Sequence, residues 1–289
     1  MTRTLLVTGA AGQLGRLTLE ALIGATSDKI VAGTRDPAKL AEFAARGVET
    51  RRIDFDDSAS LEAGFAGVDR LLIISSDALD RRLEQQQRAV AAAVKAGVKH
   101  IVYTSMPKPE PGSAIVFAPD HYGTEQAIKA SGVPYTILRV SWYQENLSMA
   151  LPNALKSGQW VSAAGQGKVS HVAREDVARA AAAALTSHSD ASATFDITSD
   201  EAFTTEEIAA IASRATGKPL HVVHVSDAQL IAGLEAHGVP AQTAAFIACF
   251  DTNTRLGGTV GPTDAVRKLT GRTPRKLATY LVEHSAEFV

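Results

Sequence analysis

The 289-residue chain reads as an α/β protein: a Rossmann doubly wound parallel sheet with a smaller C-terminal α/β lobe. Three observations predict this. Apolar runs alternate with helical stretches five times, at about twenty to thirty residues per unit, which argues a parallel, right-handed sheet. The first run, Leu5-Leu6-Val7, leads into Gly9, Gly12 and Gly15 at G-x-x-G-x-x-G spacing, and a helical pattern begins at Gln13. That strand–turn–helix order is what a dinucleotide site requires. From Trp142 onward the rhythm changes, as where a second lobe begins.

The elements follow in order. The first helix runs from Gln13 to about Gly24, and Lys29–Gly33 is the second strand. Asp36-Pro37 starts a helix, with Asp as cap and Pro at the first helical position. Leu40, Phe43 and Ala44 form its apolar face and Gly47 ends it. Val48–Phe55 is a third strand, polar enough for a sheet edge. Ser58–Phe65 is a short helix closed by Gly67. Arg70–Ser75 is a fourth strand, buried on both faces by its continuous apolar run. A long helix covers Leu79 to Ala96, and His100–Ser105 is the fifth strand. The prolines between Pro107 and Pro111 make a loop. A helix from Pro119 to Ala130 stops at Gly132-Val133-Pro134, and Tyr135–Val140 is the sixth strand.

Beyond it, Trp142–Leu155 is amphipathic but interrupted by Pro152. Trp160–Val169 reads as a hairpin or paired segments around Gly165-Gln166-Gly167. Arg174–Leu185 is an alanine-rich, closely packed helix, and Thr194–Thr198 returns to strand. Thr205 opens a helix ending at Thr216-Gly217, Leu220–Val225 is a strand, and the remainder is mostly helical. There is no internal repeat or low-complexity linker, so the second lobe is expected to interleave with the sheet.

Composition narrows the class. Hydrophobic residues make up 45% of the chain, ample for a core, and the net charge of −2 gives no case for nucleic acid or a membrane surface. The single cysteine, Cys249, excludes an intrachain disulfide and reads as a packed helix residue. Met1-Thr2-Arg3 leads straight into the first strand, with no signal-peptide pattern and no long apolar span. The expectation is a soluble cytoplasmic protein.

In an open α/β sheet, ligands bind outside the carboxyl ends of the strands, where strand order reverses. That rule selects Gly9–Gly15, Gly33-Thr34-Arg35-Asp36, Asp54-Phe55-Asp56, Ser75-Ser76 and Tyr103-Thr104-Ser105. The first four segments are expected along the cofactor. The fifth, with Arg139 to Tyr143, is expected at the reacting end. Gly9 permits the tight turn, Gly12 admits a pyrophosphate, and Gly15 lets helix pack on strand. An NAD site usually places an acid about twenty residues past the glycines. Here Arg35 precedes Asp36, and a guanidinium suits a 2′-phosphate, while Asp36 has a capping role. His221 and His224 do not read as metal ligands, because strand periodicity sends them to opposite faces. Glu206-Glu207 complements a helix dipole.

The glycine loop, Arg35, Tyr103-Thr104-Ser105 and Trp142-Tyr143-Gln144-Glu145-Asn146 together resemble the NmrA-like branch of the atypical short-chain dehydrogenases. So do Ala163-Ala164-Gly165-Gln166-Gly167-Lys168 and His121 with Thr124-Glu125. The resemblance covers essentially the whole chain. It implies an NADP-binding Rossmann domain over 1–140, with segments returning near 170–198. A mainly substrate-binding lobe covers 141–289, with the substrate cleft between them. It implies that Gly9, Gly12, Gln13, Leu14, Gly15, Arg35, Ser75, Ser76 and Tyr103 touch NADPH. Tyr143 and Asn146 then lie near the nicotinamide and substrate. Branch members reduce quinones, triphenylmethane dyes or azo dyes with NADPH and no flavin. The implied chemistry is direct hydride transfer to a small-molecule electrophile such as a quinone, with no flavin and no metal. A homodimer stays open. An NADP(H)-sensing regulator without turnover is the alternative.

One departure bears on mechanism. Alcohol-oxidising short-chain dehydrogenases use Tyr-x-x-x-Lys, where lysine favours the phenolate. Here the segment is Tyr122-Gly123-Thr124-Glu125-Gln126, and an uncharged amide cannot do that. Tyr122 then reads as an ordinary helix residue beside the cleft, with a proton supplied by solvent or His121. The same departure weakens a sugar-nucleotide epimerase or dehydratase. Candidate catalytic residues are Tyr143, Asn146, Tyr122 and His121.

Overall fold

A computed structural model describes residues 2–289. Seven strands form one parallel sheet in the order β3-β2-β1-β4-β5-β6-β8. They are β1 Thr4–Val7, β2 Lys29–Thr34, β3 Glu49–Arg52, β4 Arg70–Ile73, β5 His100–Ser105, β6 Tyr135–Val140 and β8 Ala193–Ile197. The order reverses between β1 and β4, so their carboxyl ends open the crevice a ligand uses. Two further strands, β7 Gln159–Ser162 and β9 His221–His224, pair in parallel in a separate small sheet.

Period-two alternation assigns the two faces. Leu5 and Val7 point into one core layer with Leu72, Val102 and Leu138. Leu6 points into the other with Leu71, Ile73, Ile101 and Tyr103. The first layer is closed by α1 Gln13–Leu22 and α7 Arg174–Thr186. Ala178, Ala181 and Ala182 of α7 are buried, and their small side chains let the helix lie close. The second layer is closed by α3 Ser58–Phe65, α4 Arg82–Lys95 and α5 Ala118–Ala130. A third cluster, with Leu147, Leu155, Ile208 and Leu281, is the core of the C-terminal lobe. That lobe contains α6 Leu151–Ser157, α8 Thr205–Thr216, α9 Asp227–Ala236, α10 Ala241–Arg255 and α12 Leu277–Glu283, whereas α11 Ala265–Thr270 returns to the first layer of the main sheet beside α7.

Several boundaries differ from the sequence expectation. The third strand ends at Arg52, not Phe55, because the Asp56 N–H donates to Asp54 Oδ1 at 3.1 Å and turns the chain. The fourth strand ends at Ile73, which leaves Ser75 and Ser76 in the following loop. Its helix starts at Arg82 rather than Leu79, after a turn closed by Arg81 N–H to Ala78 O. The Asp36-capped helix divides into a 3₁₀ turn, Pro37–Leu40, and α2 Ala41–Ala44. Pro152 does not interrupt a helix. It lies in the first turn of α6, where its missing N–H is not needed. The Trp160–Val169 stretch is no hairpin: Trp160 pairs with Val222 of β9, and Val169 bridges Phe203.

Candidate active site

The glycine loop builds a groove for an anion. Gly9 has φ +60°, and its carbonyl accepts from the Gly12 N–H at 2.9 Å. The Ala10 N–H donates to Gly33 O at 3.0 Å and ties the turn to β2. A Cβ on Gly15 would fall 2.4 Å from Gly9 O and 2.6 Å from Ala10 Cα. A Cβ on Gly12 would meet only Gly9 O, at 3.2 Å. No side chain caps α1, so its first-turn N–H groups stay free for a phosphate.

A groove of about 480 Å³ runs from this loop, past Arg35, Lys39 and Asp54, to Ser76. Asp36 Oδ1 accepts from the Ala38 N–H at 3.1 Å, so this acid is engaged as a cap. Arg35 and Lys39 are exposed at the groove. Two cations beside an engaged acid suit a 2′-phosphate better than a bare 2′-hydroxyl. Phe55 and Ser75 also line the groove, so the residues present fit NADPH.

At Ile74 and Ser75 the groove meets a second pocket, of about 430 Å³. Its polar lining includes Thr104, Ser105, His121, Tyr143 and Asn146. Leu14 lines it as well, and Phe117, Trp142, Phe246 and Phe250 form its aromatic wall. Ser105 Oγ donates to Glu125 at 2.7 Å, and Arg139 grips that buried carboxylate at 2.9 and 2.8 Å. Arg139 and the Ser105 bond hold the Glu125 pKa below its ordinary value although burial opposes them. Tyr143 lies under the Arg174 guanidinium, 4.6 Å from its ring centroid. Burial pushes its hydroxyl up to about 12.

Two buried groups dominate the pocket's electrostatics. His121 is buried, with Nδ1 2.8 Å from Tyr103 Oη. Burial first, and then Arg82, push its pKa down to about 3, so the ring is neutral near pH 7. Arg82 is also buried; its Nε donates to Ser76 O at 2.6 Å and its Cζ lies 4.9 Å from the Phe117 centroid. Its Nη1 has no partner. Burial lowers its pKa, but an arginine remains charged at neutral pH.

Gly9, Gly12, Arg35, Asp54, Phe55, Ser75 and Ser76 therefore face the groove, while Leu14, Thr104, Ser105, His121, Tyr143 and Asn146 face the pocket. Gln13 is exposed in the first turn of α1. The structure corrects the expected cofactor contact of Tyr103. It is fully buried in the far core layer, because alternation on β5 turns Thr104, not Tyr103, toward the pocket. Tyr103 reaches the site only through His121. Tyr122 lines neither pocket, and Gln126 is exposed.

Sequence reasoning missed Lys39, Arg82, Phe246 and Phe250. The two phenylalanines had a signal: four residues apart on a helix, they share a face. Arg82 sits in the charged run Asp80-Arg81-Arg82, a pattern that ordinarily marks a solvated surface. His221 and His224 are exposed, and His224 Nε2 pairs with Glu206. Glu207 forms a capping box with Thr204. Among the described residues there is no group of three or more His, Cys, Asp or Glu that could hold a metal ion, and no helix is long and apolar enough to cross a membrane.

A doubly wound sheet with an uncapped glycine turn at its switch point and an aromatic pocket beside it is the architecture of a dinucleotide-binding α/β protein. The chain belongs to the NmrA-like family, whose model matches residues 1–281. It is 35% identical to quinone oxidoreductase 2 of Escherichia coli, across 94% of this chain and 95% of that protein. The crystal structure of the E. coli NADPH-dependent quinone oxidoreductase complexed with NADPH superposes with a TM-score of 0.91 at 34% identity, covering 96% and 99% of the two chains. The NADP(H) complex of Citrobacter sp. triphenylmethane reductase gives a TM-score of 0.89 at 34% identity, over 97% and 99%. The NAD(P)H azoreductase of Xenophilus azovorans is 28% identical over 98% of this chain and 99% of its own length.

Proposed function

We propose that this chain is an NADPH-dependent reductase that transfers a hydride to a quinone or a similar conjugated electrophile, azo and triphenylmethane dyes included. The observation that carries the reading is the continuity at Ser75 between a phosphate-ready groove and an aromatic pocket holding a neutral imidazole and a buried guanidinium. Relatives with quinone and dye names, close to full length, support the same class.

The α1 N-terminus would hold the pyrophosphate, and Arg35 with Lys39 the 2′-phosphate. Bound NADPH supplies the hydride. The rest is work of this chain. The aromatic wall excludes water and stacks a flat acceptor. Tyr143 and Asn146 orient it, which converts encounter into a near-attack arrangement. As the hydride reaches the acceptor, its carbonyl oxygen gains negative charge. Tyr103 Oη lies 2.8 Å from His121 Nδ1; in the tautomer in which that hydroxyl donates, the ring proton sits on Nε2, which makes no hydrogen bond within the protein. That N–H and Arg82 stabilise the charge as it develops. A solvent proton then completes the hydroquinone. A quinone yields a stabilised anion, so neither a strong acid nor a Tyr–Lys pair is required.

The test is NADPH oxidation by the purified protein with a panel of quinones, before and after exhaustive chelation. Acceptor-dependent turnover that survives chelation is expected, with Tyr122→Phe losing less than the roughly 10²-fold expected for an essential acid–base group. NADP binding without turnover on any acceptor would make the chain a sensor instead.

A further inference from the structure

Arg82 is only 8% exposed, yet the protein gives it a single hydrogen bond, from Nε to Ser76 O at 2.6 Å. A guanidinium carries five N–H donors in a planar fork. Those on Nη1 are buried without a partner, and Arg82 lines the reaction pocket. Among the described residues no carboxylate comes within ion-pair distance of it; Asp77 and Asp120 act on it only through space. Buried charges are ordinarily paired and hydrogen-bonded, because burial removes their hydration and something must replace it.

The pocket's lining states the sign of the partner this fork accepts. No Asp, Glu or Lys lines it and His121 is neutral, so Arg82 carries its only charge. Glu125, behind Ser105, is paired with Arg139 and Lys129 and does not answer Arg82. The guanidinium lies over the Phe117 ring, and the edge of the fork is what two neighbouring anionic oxygens match. A neutral acceptor supplies one such oxygen, and only as the hydride arrives.

We propose that Arg82 is an anion receptor inside the reaction pocket, and that the preferred acceptor carries a permanent anionic group, a sulfonate or carboxylate, on the carbon next to its reacting carbonyl. The inference rests on the quinone-reductase reading above and narrows its substrate class. The fixed anion takes one side of the fork and the carbonyl oxygen the other, so Arg82 and His121 still meet the charge that hydride transfer creates.

The test compares 1,4-naphthoquinone-2-sulfonate with neutral 2-methyl-1,4-naphthoquinone in the wild type, Arg82→Lys and Arg82→Met. Hydrogen bonds to charged groups are worth roughly 10- to 100-fold. The ratio of kcat/KM, sulfonated over methylated, should therefore fall at least tenfold in Arg82→Met. It should fall less in Arg82→Lys, which keeps the charge and loses the fork. Taking the ratio between proteins cancels the different electron affinities of the two acceptors and any loss of kcat they share. A second measurement needs no turnover: calorimetric titration of the NADP⁺-bound protein with naphthalene-2-sulfonate and with its neutral isostere naphthalene-2-sulfonamide. The sulfonate should bind at least tenfold tighter to the wild type, and the two should bind alike to Arg82→Met. An unchanged kcat/KM ratio in a folded Arg82→Met, or equal affinities in the wild type, overturns the receptor. So does a matching loss of NADPH affinity in Arg82→Met, which would assign the guanidinium to the cofactor. Failure of both quinones to oxidise NADPH overturns the function instead, and the calorimetric pair then decides the receptor alone.

Discussion

Tyr103 Oη lies 2.8 Å from His121 Nδ1, both inside the protein, and this contact sets which nitrogen His121 turns to the pocket. His121→Leu should lower kcat by roughly 10²-fold, the low end for loss of one preorganised donor to a developing oxyanion. His121→Gln, which keeps an N–H donor, should recover part of that. Tyr103→Phe should cost less than His121→Leu and leave the KM for NADPH unchanged, since Tyr103 acts only through His121. Steady-state kinetics check the series; a fully active His121→Leu would remove the ring from the mechanism.

Arg82 is buried with no carboxylate within salt-bridge distance among the described residues, an arrangement that costs stability. An apolar side chain of similar volume removes that desolvation cost, against the loss of the Nε bond to Ser76 O and the contact with the Phe117 ring. Arg82→Met should therefore keep or raise the urea midpoint while kcat falls at least tenfold. A variant that loses stability and activity together would make Arg82 a structural residue. An unchanged kcat would remove it from the chemistry.

Much of this was legible in the sequence, and the omissions have physical reasons. Parallel strands buried on both faces leave continuous apolar runs, so β1, β4 and β5 could be read directly, as could the glycine turn. The pairing of β7 with β9 could not, because a parallel contact between residues sixty apart leaves no local signal. The face a strand residue takes depends on register with its neighbours, so Tyr103 and Thr104 were indistinguishable until β5 was placed between β4 and β6. Arg82 was hidden because a charged run usually marks a solvated surface, and only the loop from Ser76 turns this side chain inward.

The glycines of the first turn separate binding from folding. The Cβ of Gly12→Val would meet only Gly9 O, at 3.2 Å, so the variant should fold, but its branches enter the phosphate position and should abolish NADPH binding by calorimetry. Gly15→Ala would drive a Cβ into the backbone of Gly9 and Ala10, so it should lower thermal stability as well as binding. Wild-type NADPH affinity in Gly12→Val would take the loop out of the cofactor site.

Acid should destabilise the fold through its buried histidines. His121 is pushed down to about 3, and His100 and His171 to about 4, all chiefly by burial. A histidine whose folded pKa lies below its unfolded value of about 6.5 takes up its proton mainly on unfolding. Its contribution is complete above that value and is lost as pH falls toward the folded pKa. From pH 7 to 5 each should cost about 2 kcal/mol, in a window above most carboxylate titrations. Urea denaturation at the two pH values measures the sum. His100→Gln should reduce the pH dependence by about one proton, and an identical slope would show that His100 titrates alike in both states.

Arg35 and Lys39 should set the choice between NADPH and NADH. Both are exposed at the groove end of β2, where Asp36 is engaged with the Ala38 N–H. A hydrogen bond to a charged group contributes roughly 1.5–3 kcal/mol, so Arg35→Ala should weaken NADPH by roughly 10- to 100-fold at about 1.4 kcal/mol per decade. NADH has no 2′-phosphate and should bind nearly as before. Lys39 offers a second cation a short distance along the chain, so it should partly compensate in the single variant. Arg35→Ala with Lys39→Ala should then lose more than Arg35→Ala alone, and the loss should shrink as salt screens the exposed charges. Calorimetric titration of both nucleotides at two ionic strengths reads this out. Equal losses for NADPH and NADH would place the 2′-phosphate elsewhere and leave Arg35 a solvated loop cation.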